Sequence, residues 1–201
     1  LEVLEYFFGK IKLPKKETKE GDALWLNPKA DKQMDKVVHK KYAPINEIQI
    51  QQMEQDLQRI SRVVFPDWYR SFLQYANGLS LYYGAISLYG LQKVERSNPE
   101  WESPSSLYLE NLSRHKHVPK EWLFIGCYCY DGTEIVIDTN KEESDIFCLY
   151  NETDKVICSW KNFDEFLFTE TKRLELLYLQ HPWGWLDIKS NTLPVGHKDK
   201  N

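Results

Sequence analysis

The residue types best suited to chemistry are the carboxylates Asp131, Glu134 and Asp138, the cysteines Cys127, Cys129, Cys148 and Cys158, and five histidines, of which His115 and His117 form an HxH pair. Carboxylates so close in sequence can serve as acid and base or as ligands for a hard cation. A glycosidase-like pair must face each other across a cleft, however, and adjacency along a strand and turn does not supply that geometry. Asp131-Gly132 reads more simply as a turn, with Glu134 on a solvated face. The cysteines sit among Ile, Leu, Val and aromatic residues, where a free thiol behaves as a small hydrophobe. They lack the paired CxxC spacing of a structural zinc site. His115 and His117 flank a lysine in a polar stretch and read as solvated. His39, His181 and His197 stand beside no nucleophile. There is no glycine-rich phosphate loop, GxSxG elbow or HExxH pair, and the glycines at 84 and 90 are too far apart to cradle a phosphate. No catalytic residue, metal or cofactor is therefore expected. A hydrolase built on Asp131 to Asp138 is the least favoured alternative.

Composition bounds the answer further. The 201 residues are 42% hydrophobic and 14% aromatic, enough for a sizeable core in a single domain with additions. The longest stretch without charge or strong polarity, Trp122 to Tyr130, falls far short of a membrane span, and the opening residues do not read as a secretory leader. Net charge is −4, unevenly spread: residues 1–45 carry +3, residues 46–180 carry −8 and the remainder +1. An acidic body repels nucleic acid and attracts basic partners. A cytoplasmic protein with reduced cysteines is the expectation.

These residues must be positioned by secondary structure, and its signals are clearest from Asn46 onward. Asn46 and Gln49 form a capping box ahead of Ile50, Met53, Leu57 and Ile60, the buried stripe of a helix. Pro66 starts a second helix with a core face of Trp68, Tyr69, Phe72, Leu73 and Ala76, and Asn77-Gly78 ends it. Residues 81–91 are β-like, and 105–112 form a short helix after a loop bearing Trp101. Strands are predicted at 122–130, 134–138, 146–150 and 155–159. A closing helix starts at Asn162, with Glu165 in capping position. Residues 29–42 are predicted helical, with Met34, Val37, Val38 and Tyr42 on one side. The expected organisation is an N-terminal appendage (1–45), a domain (46–180) and a C-terminal tail (181–201). Helices, then an antiparallel meander, then a helix give an α+β fold with helices mainly on one face of the sheet.

Strict alternation along 122–130 places Leu123, Ile125, Cys127 and Cys129 on one face and Trp122, Phe124, Tyr128 and Tyr130 on the other. In the next strand Ile135 and Ile137 oppose Glu134, Val136 and Asp138. If helices cover the aliphatic and cysteine face, the other presents tyrosines and carboxylates suited to protein recognition. Alternatively, the appendage or tail covers those aromatics. Both readings stay open at this point.

Taken in order, these pieces resemble the SUKH superfamily, also called the SMI1/KNR4 family. Glu54 and Leu57 match its first helix. Phe65-Pro66-Asp67-Trp68-Tyr69, Phe72-Leu73 and Asn77-Gly78 match its second. Leu88-Tyr89-Gly90 stands for its Leu-Tyr-Gly, and Pro119, Trp122, Ile125 and Gly126 for its Pro-x-x-Trp-x-x-Ile-Gly. Gly132 and Asp138 match its glycine and Asp-ended strand; Ser159, Phe163, Phe166 and Leu167 match its closing helix. The resemblance spans about 46–178. It departs at Cys127 to Tyr130, where the family is often glycine-rich, and residues 1–45 have no counterpart.

The resemblance implies a non-catalytic protein-binding domain, with immunity proteins that neutralise polymorphic or contact-dependent toxins as the leading comparison. A regulatory interaction scaffold is the alternative. The expected partner is a protein, a toxin domain such as a basic nuclease, rather than nucleic acid or membrane. The expected partner-facing residues are Tyr128, Tyr130, Glu134 and Asp138, followed by Tyr83 and Trp101. Tyrosine and tryptophan would supply desolvated anchors there, and the carboxylates would pair with Lys or Arg.

Overall fold

A computed structural model describes residues 2–30, 37–92, 103–128, 133–141, 145–150, 154–180 and Pro194. Among these residues the strands form one nine-stranded antiparallel sheet in simple chain order. They are β1 (Lys15–Glu17), β2 (Ala23–Leu26), β3 (Val37–Lys41), β4 (Leu79–Leu81), β5 (Ile86–Leu88), β6 (Trp122–Tyr128), β7 (Thr133–Asp138), β8 (Ile146–Leu149) and β9 (Val156–Trp160). The helices are α1 (Glu2–Lys10), α2 (Glu47–Gln58), α3 (Asp67–Tyr75), α4 (Leu107–Leu112) and α5 (Phe163–Gln180). The fold is α+β, and α1, α3 and α5 all contribute side chains to one face of the sheet. Among the described residues no helix is long and apolar enough to cross a membrane.

Local chemistry explains where α2 and α3 begin and end. The Gln49 N–H donates to Asn46 Oδ1 at 2.9 Å, and the Asn46 N–H donates to Gln49 Oε1 at 3.0 Å, so two orphan donors at the start of α2 are satisfied reciprocally. Ile50, Met53 and Leu57 then face the core. Helix α3 ends at Tyr75 with Ala76 already extended, its N–H donating to the Phe72 carbonyl; two residues on, Gly78 is left-handed at φ 89°, and a Cβ there would lie 2.6 Å from the Leu88 carbonyl oxygen. The buried Asn77 side chain bridges to Leu91, accepting from its N–H and donating to its carbonyl. At the start of α5 the Glu165 N–H donates to Asn162 Oδ1 at 2.8 Å, and the Glu165 carboxylate reaches back to the Lys161 N–H.

The first residues depart from the helical expectation. Val37–Lys41 is a strand, bonded to β2 on one side and β4 on the other, and residues 31–36 lie outside the described set. The 3–4 spacing of Met34, Val37, Val38 and Tyr42 imitates a helix. Two β-branched valines between two waiting strand edges are better satisfied in the sheet. Strands β1 to β3 thus continue the sheet of the rest of the chain. Helix α1 docks on them through Leu4 and Phe8, whose ring stacks on Trp25 at 4.4 Å.

A bulge in β6 resets the faces of the sheet. Phe124 pairs with Val136, but Gly126 pairs with Ile135, leaving Ile125 as an extra residue. From there Cys127 shares the face of Glu134, while Tyr128 shares that of Thr133 and Ile135, beneath α5. The outer edge of β6 is closed by α4. Asn111 accepts from the Phe124 N–H and donates to its carbonyl, and Arg114 donates to the Trp122 carbonyl. The edge is thereby removed as a template for strand pairing.

Candidate protein-binding groove

Among the described residues, the expected partner-facing ones do not come together. Tyr128 is fully buried, and its hydroxyl donates to Glu170 of α5 at 2.7 Å. Placing it on the partner-facing side is therefore corrected, and the Ile125 bulge is the cause. Glu134 is half-buried and accepts from the Tyr89 hydroxyl at 3.1 Å. Asp138 is half-buried, and its carboxylate accepts from the Asn140 N–H at the turn after β7. Their face of the sheet also holds Phe124, Val136, Phe147 and Leu149, all buried, so it is not an open recognition surface. Tyr130 and Trp101 lie outside the described residues, as do Cys129, Asp131 and Gly132. Of the described ones, only Tyr83 reaches an accessible concavity.

That concavity is a groove of about 740 Å³ between α1 and α5. One wall is Val3, Tyr6, Phe7 and Lys10 of α1, continued by Ile11, Lys12 and Leu13. The other is Phe168, Thr171, Lys172, Glu175, Tyr178 and Leu179 of α5. Asn27, Val38, His39, Tyr82 and Tyr83 complete it. Tyr6, Phe168 and Leu179 are 57%, 52% and 70% exposed, an unusual amount of large apolar side chain around one cleft.

The turn between β4 and β5 builds the floor at a conformational cost. Tyr82 and Tyr83 are both left-handed, with φ 51° and 57°, a region that disfavours any residue with a bulky Cβ substituent. Surrounding contacts hold them. The Tyr82 hydroxyl donates to the Thr171 carbonyl at 2.8 Å, and the Tyr178 hydroxyl donates to the Tyr82 carbonyl at 2.7 Å. The Tyr82 and Tyr178 rings stack at 5.2 Å. The Tyr83 N–H donates to the Val38 carbonyl, and the Asn27 amide donates to the Tyr83 hydroxyl. Burial pushes the Tyr82 hydroxyl well above its ordinary pKa, with Glu175 adding to the effect, so it stays protonated as a donor. Burial also lowers His39 to about 3, leaving the floor neutral. Lysines 10, 12 and 172 oppose Glu175 as the charged residues around the groove.

Other candidate chemistry is dispersed. Cys148 and Cys158 face each other across β8 and β9, and burial raises the Cys148 pKa well above its ordinary value. The His115 and His117 rings stack on each other at 5.6 Å. Among the described residues no group of three or more His, Cys, Asp or Glu is arranged to hold a metal ion. The groove itself joins residues distant in sequence. The local signal for it is Tyr82-Tyr83-Gly84, a tight hairpin turn that forces bulky residues into a left-handed conformation.

Comparison with known proteins gives one positive result. The model of the SMI1 / KNR4 family (SUKH-1) matches residues 44–169, and no curated protein or solved structure matches the chain. The matched span runs from just before the capping box of α2 into the first turns of α5, through the Asn-Gly pair after α3, the bulged β6 and the strand ending at Asp138. With more than half of its length covered in this way, the chain belongs to the SMI1/KNR4 (SUKH-1) family.

Proposed function

We propose that this protein is a cytoplasmic immunity protein that binds a cognate toxin domain and neutralises it without catalysis of its own. Family membership supports an immunity-type or protein-interaction role, and the family is generally non-enzymatic. The observation that carries the proposal is the exposed aromatic and aliphatic groove of about 740 Å³, held open by a strained tyrosine turn in a member of that family. Interfaces draw most of their energy from a few desolvated aromatic anchors, and Tyr6, Tyr83 and Phe168 are placed to act so. Strain kept in place by surrounding bonds is a common mark of a functional site.

Pull-down with the wild-type chain from native cell lysate, followed by co-expression with the toxin-bearing protein it captures, tests the proposal. The wild-type chain restores growth and co-purifies with the toxin domain in fixed stoichiometry. Tyr83→Ala combined with Phe168→Glu gives a folded chain that does neither. Failure of the wild-type chain to restore growth overturns the proposal.

A further inference from the structure

We infer that the groove between α1 and α5 takes an acidic segment of the partner protein carrying apolar anchors, and that α1 and the residues that follow it at 11–13 help select that partner. The inference rests on the protein-binding role proposed above and specifies its chemistry. The chain as a whole is acidic at −4, yet Lys10, Lys12 and Lys172 outnumber Glu175 at the groove, and the histidine on its floor is uncharged. A basic segment would be repelled there. An acidic one gains charge-assisted hydrogen bonds from the lysines. This local sign is opposite to that expected from the acidic body, which favours a basic toxin surface.

The lysines and the rings act together. The Lys10 ammonium lies 3.7 Å from the Tyr6 ring centroid, and that of Lys172 lies 5.9 Å from the Phe168 centroid. Each cation therefore sits beside an exposed aromatic surface, so a segment with alternating carboxylates and large apolar side chains can engage both. A purely acidic chain would leave Tyr6, Phe168 and Leu179 uncovered.

The origin of the walls bears on specificity. Helix α1, residues 11–13, Asn27 and His39 precede the family match, which begins at residue 44. Thr171 to Leu179 follow its end at residue 169. Of the groove, only Tyr82, Tyr83 and Phe168 fall inside the matched span. Segments flanking the family core thus build most of the site, and changes in them alter partner choice while leaving that core intact.

The test uses the full chain and two short fluorescein-labelled peptides with the same Leu and Phe positions, one carrying Glu and the other Lys between them. Fluorescence anisotropy is expected to show the Glu peptide binding at least about tenfold more tightly than the Lys peptide, with the difference shrinking as salt rises. The Lys10→Glu, Lys12→Glu, Lys172→Glu variant, checked for an unchanged circular dichroism spectrum, reverses that preference. Phe168→Ala weakens binding of both peptides. Equal affinity for the two peptides, or a preference that survives charge reversal, overturns the inference. A concentration-dependent dimer lost on Phe168→Glu also overturns it, by assigning the groove to a second copy of the chain. The growth assay separates the two readings. If the peptides behave as expected but growth is not restored, immunity fails and the groove chemistry stands. If the charge-reversed variant still protects fully, the acidic-segment inference fails and immunity stands.

Discussion

The backbone N–H of Tyr82 donates to Nδ1 of His39 at 3.3 Å, tying a residue in a strained left-handed conformation to a buried, uncharged imidazole on the neighbouring strand. The bond requires Nδ1 to act as an acceptor, which places the proton on Nε2. The Phe7 and Trp25 rings meet the imidazole edge-on, and the Tyr82 ring lies 4.7 Å from it. Protonation would remove the acceptor and bury a charge among aromatics. The turn that floors the groove is thus coupled to the ionisation state of a residue contributed by the N-terminal strands.

This coupling predicts a pH dependence of stability. Burial lowers the folded-state pKa of His39 to about 3, against an ordinary value of 6.5. Between these values the unfolded chain binds the proton and the folded chain does not, so stability falls as pH falls. The contribution is fully present above about pH 6.5 and is lost progressively towards pH 3, at a limiting slope of about 1.4 kcal/mol per pH unit. Urea unfolding at pH 7.5 and pH 5 should show wild type losing about 2 kcal/mol more than His39→Gln over that interval. Equal losses would mean that His39 titrates normally in the folded protein.

The glycine of the family's Ile-Gly element has a packing role that a single substitution can expose. A Cβ at Gly126 would lie 2.4 Å from the Ser87 carbonyl oxygen and 2.8 Å from Leu88 Cδ2. The first of these is backbone in β5 and cannot move without breaking the register. Gly126→Ala should therefore cost at least about 2 kcal/mol. Gly9 in α1 has open space where a Cβ would go, and Gly9→Ala should be neutral or stabilising by about 0.5 kcal/mol. Thermal unfolding of the two variants checks both signs.

The same strand shows where reading the sequence succeeds and where it fails. The Asn46–Gln49 box and the Asn162 cap are local devices, and each forms as its residues predict; α3 instead stops before Asn77-Gly78, at an extended Ala76. Tyr128 is different. Alternation assumes one residue per partner, so a single extra residue at Ile125 sends every later side chain to the other face. A glycine inside a strand, as at 126, is the available warning of such a bulge. The helical expectation fails at 37–41 for a related reason: the edges of β2 and β4 decide the conformation of Val37–Lys41, and neither is local. The groove is the least legible feature, because α1 and α5 meet only after the whole sheet lies between them in sequence.

The corrected position of Tyr128 makes a final prediction that separates a core role from a surface one. Glu170 is 2% exposed and accepts from the Tyr128 hydroxyl at 2.7 Å, from Arg173 Nη2 at 2.7 Å and from Arg173 Nε at 3.0 Å. Desolvation opposes a buried carboxylate, and these bonds offset it. Tyr128→Phe removes one donor but leaves the ion pair intact, so its cost should be about 1 kcal/mol. Glu170→Ala removes the acceptor that receives the Tyr128 hydroxyl and the Arg173 Nε and Nη2 donors, and should cost about 3 kcal/mol or more. In the double variant, Tyr128→Phe with Glu170→Ala, the losses should not add, because phenylalanine has no hydroxyl left to satisfy. Denaturant unfolding of the four chains yields the coupling directly. A partner-facing Tyr128 would give the reverse pattern, with stability unchanged in Tyr128→Phe and no coupling to Glu170.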